Sequence, residues 1–189
     1  MTREEYIKKL IAFNSTEKYQ DEMAMMKLLL NPQLSEKILD YGCGIGFMVR
    51  YLNMDIKCSC FGYDVNNYRL EDNDFLFRNE YHFPFDKIYF MHSLAHIPDP
   101  IRILEKLKET FLKEKGAVHV ITPNKAWLDS FKNPDYIPDP TVKEHFTMSS
   151  LMQLFVDAGY KIKKVGQFSF SPGHIWDGDC ERLFLSATL

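Results

Sequence analysis

Apolar positions recur along this chain with two alternating periods, and the alternation sets out its elements. Residues 3–13 and 17–30 place Tyr6, Ile7, Leu10, Ile11 and then Tyr19, Met23, Met26, Leu30 at helical intervals. Asn31-Pro32 stops the second run. Short apolar runs of strand length follow at 37–40, 58–64, 75–77, 87–91 and 117–121. Residues 46–53 resume helical spacing, and Pro100 opens a stripe of Ile101, Leu104, Leu107 and Phe111. Ser149 to Ala158 predicts a last helix, ended by Gly159, and two strands at 160–168 and 182–188 finish the chain. Strands alternating with helices predict an α/β fold, a three-layer sandwich around a mostly parallel sheet of near seven strands. The last strand should be antiparallel, because a loop can join antiparallel neighbours whereas a parallel pair needs a crossover. With no repeat or linker, 1–189 reads as one domain, a helical segment at 1–32 leading an α/β core at 36–189.

Composition narrows the partners. The chain is 46% hydrophobic and 26% charged, with a formal net charge of −3. That balance argues against nucleic acid, whose backbone usually needs a basic face. Lys161, Lys163 and Lys164 cluster, but on a strand edge they read as solubilising charge. No apolar run approaches the ~18 residues of a membrane span, and Met1 to Glu5 carries charges of both signs without a leader's apolar region. A cytoplasmic location is expected, with the oligomeric state open. Of the cysteines at 43, 58, 60 and 180, Cys58 and Cys60 share one strand face and read as buried apolar filler, with no metal indicated.

The candidate chemistry sits at Ile38-Leu39-Asp40-Tyr41-Gly42-Cys43-Gly44-Ile45-Gly46, an apolar strand that ends in an acid and three alternate glycines. Such glycines permit positive φ and close ligand approach, and the following helix turns unpaired N–H groups to the same place. Asp64 closes the next apolar run, where a ribose-binding carboxylate is expected. A dinucleotide fingerprint would need glycine at 47, which is Phe47.

The pattern Asp-x-Gly-x-Gly-x-Gly resembles the first motif of class I S-adenosyl-L-methionine (SAM) dependent methyltransferases, in the group acting on small molecules, lipids and sugars. Four further segments carry the likeness: Phe83 to Ile88, Met91 to Pro100, Leu112 to Asn124, and His145-Phe146-Thr147 through Ala158-Gly159-Tyr160. The resemblance covers about residues 36–165 and implies a Rossmann-like fold with SAM as cofactor. It implies that Gly42, Cys43 and Gly44 lie against the methionine portion, that Asp64 accepts both ribose hydroxyls, and that Asp40, Tyr41, Gly46 and Val65 belong to the same cofactor site. Asn79 and Glu80 would bracket the adenine, and Met91 and His92 would lie near the sulfonium. Two departures stand out. Only residues 65–86 lie between Asp64 and Lys87, where the family fits a helix and a strand, and Gly116-Ala117 replaces a double glycine.

Methyl transfer needs an acceptor aligned with the departing thioether, and a hydroxyl acceptor needs a base of near-neutral pKa. His145 and His92 are the candidates, His145 preferred for its reach from a loop. His96 is expected to order its loop, and His119, inside a strand, to be structural. Residues 130–145, with Pro134, Pro138 and Pro140, read as a cover over the acceptor, a small molecule, glycan or lipid. The alternatives are a non-catalytic SAM-binding or interaction module and, less favoured, an NAD-dependent oxidoreductase.

Overall fold

The computed structural model describes residues 2–55, 58–66, 68, 84–130, 139–169 and 181–189. Its strands are β1 (Lys37–Tyr41), β2 (Ser59–Tyr63), β3 (Phe85–Met91), β4 (Leu112–Pro123), β5 (Lys161–Phe168) and β6 (Arg182–Thr188). Its helices are α1 (Arg3–Asn14), α2 (Glu17–Leu30), α3 (Phe47–Asp55), α4 (Pro100–Lys106), α5 (Lys125–Ser130) and α6 (Met148–Asp157). The strands form one sheet in the order β2-β1-β3-β4-β6-β5. β1 to β4 pair in parallel, and β6 runs antiparallel between β4 and β5, as expected of the last strand. Six strands are present among the described residues; the one expected at 75–77 lies outside them.

Side chains alternate across the sheet and sort the core into two layers. Leu39, Ile88, Phe90, Val118 and Val120 face Leu104, Leu107, Leu151 and Phe155, which come from α4, the turn after it, and α6. Ile38, Tyr89, Met91 and Ile121 face Met23, Met26, Met48 and Leu52 of α2 and α3. Cys58 and Cys60 join this second layer as apolar filler. Phe90 is fully buried, so Phe90→Ala should cost about 3–5 kcal/mol, read as a lower urea midpoint with unchanged slope.

Several boundaries differ from the sequence pattern for local reasons. β4 begins five residues before the predicted 117–121 run: Leu112 pairs with Phe85 before a bulge, and exposed Lys113, Glu114 and Lys115 interrupt the alternation. Asp86 holds this irregular start, accepting from Lys113 Nζ at 2.7 Å and from the Lys37 amide at 2.8 Å. The stripe from Pro100 is α-helical only to Lys106, then loosens into a π turn over Leu107–Phe111. The short α5 has no apolar stripe to announce it; Asn124 starts it, its Oδ1 accepting from the Ala126 amide at 3.1 Å. Lys161, Lys163 and Lys164 are exposed or nearly so on β5, an edge of the described sheet, where charge discourages edge pairing.

Candidate active site

Parallel sheets of this kind bind ligands beyond the carboxyl ends of strands where the order reverses. Here that point lies between β1 and β3. The glycine loop leaves β1 with Gly42, Gly44 and Gly46 at φ of +84°, +54° and +78°. Its turn is set by β2, whose Tyr63 carbonyl accepts from the Gly42 amide at 2.7 Å and the Cys43 amide at 3.0 Å. Gly42 is needed for space as well as for conformation. A Cβ there would lie 2.3 Å from the Ser93 Cβ, and Ser93 Oγ donates to the Tyr41 carbonyl.

Asp64 is tied into the same loop. Its Oδ2 accepts from the Gly44 amide at 2.9 Å and its Oδ1 from the Asn66 amide at 2.9 Å. Burial raises its pKa, and those two backbone bonds oppose the rise. A carboxylate has about four acceptor positions, so two hydroxyls can still be received. Asp40 is buried deeper. Burial pushes its pKa up to about 8, opposed by a hydrogen bond from the Tyr89 hydroxyl, and its Oδ1 has no hydrogen-bond partner. Val65 is 84% exposed beside Asp64.

The neighbouring wall comes from β3. Met91 is buried in the core layer against α2 and α3. His92 follows with φ of +63°, its amide donating to the Ile121 carbonyl at 2.8 Å. Its Nε2 lies 2.5 Å from Oε2 of Glu22, a fully buried carboxylate on α2. Arg182 Nε, at the start of β6, donates to Oε1 of the same carboxylate at 2.7 Å. Burial alone would raise the Glu22 pKa, but His92 and Arg182 outweigh it and hold the group ionised. Sequence reading missed both partners. The signal for Glu22 was present: it shares a helix face with Tyr19 and Met26, where an acid is out of place. Arg182 opens a strand and carried no comparable mark.

Helix α1 lies over this mouth. Leu10 Cδ1 would sit 3.5 Å from a Cβ on Gly44, Tyr6 stacks near Tyr68 at 4.9 Å, and Phe13 lies against His92 at 6.4 Å and Tyr19 at 5.2 Å. In the turn after β3, Ala95 O accepts from the amides of Lys143 and Glu144. His96 Nδ1 meets Thr141 Oγ1 at 2.9 Å, fastening residues 139–145 to the turn after β3. His145 is half-buried beside Phe146, which bridges to Asn124, and no hydrogen bond of its ring is found among the described residues. Asn79 and Glu80, most of the 65–86 segment, residues 131–138 and the loop after Phe170 lie outside the described residues. His119 sits inside the sheet with Nδ1 2.9 Å from Ser186 Oγ; burial lowers its pKa to about 4, so it is neutral and structural.

A glycine turn locked to an acid stands at the switch point, and the sequence comparison gives the family. The model of the methyltransferase domain family matches residues 2–165. The chain belongs to that family.

The solved structures agree in fold. A SAM-dependent methyltransferase from Aquifex aeolicus is 20% identical, with 99% of this chain and 98% of that one covered at a TM-score of 0.68. One from Archaeoglobus fulgidus is 16% identical over 95% and 99%, with a TM-score of 0.65. Phosphoethanolamine N-methyltransferase 2 of Haemonchus contortus, in complex with S-adenosyl-L-methionine, is 14% identical over 90% of this methyltransferase and 52% of its own length, at 0.64. No curated protein matches the sequence. The family match leaves the nicotinamide alternative without support. Among the described residues, no helix of this methyltransferase is long and apolar enough to cross a membrane.

Proposed function

We propose that this methyltransferase transfers the methyl group of SAM to a small molecule, glycan or lipid acceptor. One observation carries the reading: Gly44 donates to Asp64 across the switch point, joining the loop for the methionine portion to the carboxylate for the ribose. Two features fit the donor. Asp40 Oδ1 is buried without a partner among the described residues and suits a cationic group, and among the described residues a Cβ on Gly44 would meet the tip of Leu10 alone. Gly42, Cys43, Gly46 and Tyr41 shape the turn, Val65 adds exposed apolar surface beside the ribose acid, and Met91 closes the floor. His92 and His145 stand on the acceptor side. Bound SAM supplies a methyl on a positively charged sulfur; the protein aligns the acceptor and excludes water. Unpaired Cys43, Cys58 and Cys60 suit a reducing compartment such as the cytoplasm.

Turnover of methyl-labelled SAM over a library of hydroxyl, amine and carboxylate acceptors tests the reading. Label appearing in any acceptor supports it. Tight SAM binding with no transfer to any class would leave a non-catalytic SAM-binding module instead.

Asp40 gives the binding a pH dependence. Its folded pKa, about 8, lies above the unfolded value of about 3.9. The proton it keeps on folding stabilises the free protein at low pH, and that stability falls as pH rises toward 8. A cation beside Asp40 favours the ionised form. SAM binding should therefore release protons below pH 8, and its affinity should rise between pH 6 and 8 by at most about tenfold per unit. Calorimetry at neutral pH in two buffers of different ionisation enthalpy reads the protons directly. Asp40→Asn should abolish the release; equal release in that variant would assign the proton elsewhere.

A further inference from the structure

The Glu22 carboxylate selects one form of the His92 ring. An ionised carboxylate only accepts hydrogen bonds, so the ring nitrogen facing it at 2.5 Å, Nε2, carries the hydrogen. In the neutral ring this leaves the lone pair on Nδ1, and no described residue bonds to that atom. Three restraints hold the ring in place. The backbone is fixed at φ of +63° and tied to Ile121, the edge of Phe13 lies beside the ring, and Arg182 holds the second oxygen of Glu22 at 2.7 Å. The His92 side chain keeps 17% exposure while Glu22 has none. The next residue, Ser93, touches Gly42 of the donor loop. His145, the loop histidine, has no comparable partner among the described residues.

We propose that Glu22 is a positioning residue that presents His92 Nδ1 as the base for a hydroxyl acceptor. The proposal rests on the reading of the site as a SAM-dependent methyltransferase. In the step, the acceptor oxygen bonds to the methyl carbon while the carbon–sulfur bond breaks, its electron pair staying on sulfur as the neutral thioether. The hydroxyl proton passes to Nδ1, and the resulting imidazolium is paired with Glu22. An amine acceptor that arrives unprotonated gains nothing from this arrangement, so the geometry favours phenol-like or sugar hydroxyls.

The test uses the full chain labelled with ¹⁵N-histidine, in long-range ¹H–¹⁵N spectra under conditions where the ring is neutral. His92→Asn identifies the His92 signals, because asparagine tolerates the left-handed backbone. Wild type should show the Nε2–H tautomer at His92, and Glu22→Gln should shift the ring toward a mixture of tautomers. Both variants should bind SAM within about twofold of wild type. Their turnover with phenol, catechol and methyl glucoside should fall about 10²-fold or more, the usual size of a general-base contribution, at unchanged KM for SAM. An Nδ1–H tautomer in wild type overturns the proposal without any acceptor being known. So does full turnover in Glu22→Gln, or methylation of ethanolamine at its nitrogen in preference to every hydroxyl. If wild type binds no SAM, the donor assignment fails instead, and the tautomer result still decides the arrangement of the ring.

Discussion

Gly42→Ala is expected to destabilise the protein by about 3 kcal/mol and to lower SAM affinity about 100-fold or more. Two costs combine. The backbone at Gly42 is left-handed, with φ of +84°, which costs a residue with a Cβ about 1–2 kcal/mol. The new Cβ would also stand 2.3 Å from Ser93 Cβ, and overpacking of this kind costs about 1–3 kcal/mol. Ser93 cannot retreat freely, because its hydroxyl is bonded to Tyr41 and its neighbour His92 is held by Ile121 and Glu22. The loop must move instead, and it carries the Gly44 amide away from Asp64. A 100-fold loss corresponds to about 2.8 kcal/mol of binding, comparable to the strain that the bound loop would have to absorb. Gly44→Ala is the control. Among the described residues a Cβ there meets Leu10 Cδ1 alone, at 3.5 Å, an ordinary contact, so its stability cost should stay near the ~1–2 kcal/mol of the left-handed backbone. Urea unfolding and SAM titration of both variants check this; equal stability losses would mean that Ser93 gives way.

Asp64→Ala is expected to weaken SAM and its demethylated product by the same factor, ~10-fold or more. A hydrogen bond to a charged group contributes about 1.5–3 kcal/mol, and the two ligands share the ribose that Asp64 is proposed to receive. The variant also frees the Gly44 and Asn66 amides that the carboxylate now accepts from at 2.9 Å each, so part of the loss comes from a looser loop. Asp64→Asn keeps one acceptor oxygen and should fall between. A loss confined to SAM would place Asp64 at the sulfonium rather than at the ribose.

The features legible in the sequence are those fixed by local rules. Period-two apolar runs gave the strands of both core layers, and the alternate glycines with Asp40 and Asp64 marked the turn at the switch point, because positive φ and a strand-end acid leave a trace in a few adjacent residues. The two-layer sorting of Ile38 from Leu39, and of Tyr89 from Phe90, follows from that alternation alone. Features that depend on distant partners left little trace. The polar start of β4 is stabilised by Asp86, an interaction outside any periodicity. The preference for His145 over His92 rested on loop reach. Glu22 and Arg182 lie 160 positions apart, and only the fold brings Arg182 to the carboxylate that meets His92. A lone acid on an apolar helix face was the available hint, since a buried carboxylate needs a partner that the helix itself does not supply.

The central claim, that the loop from Gly42 to Gly46 and Asp64 form a site for SAM, is tested most directly by calorimetric titration of the wild-type chain with SAM, its demethylated product and NAD. Saturable binding of the first two, proton release below pH 8 and no binding of NAD are the expected result. Binding of NAD, or of neither SAM nor its product, would contradict it.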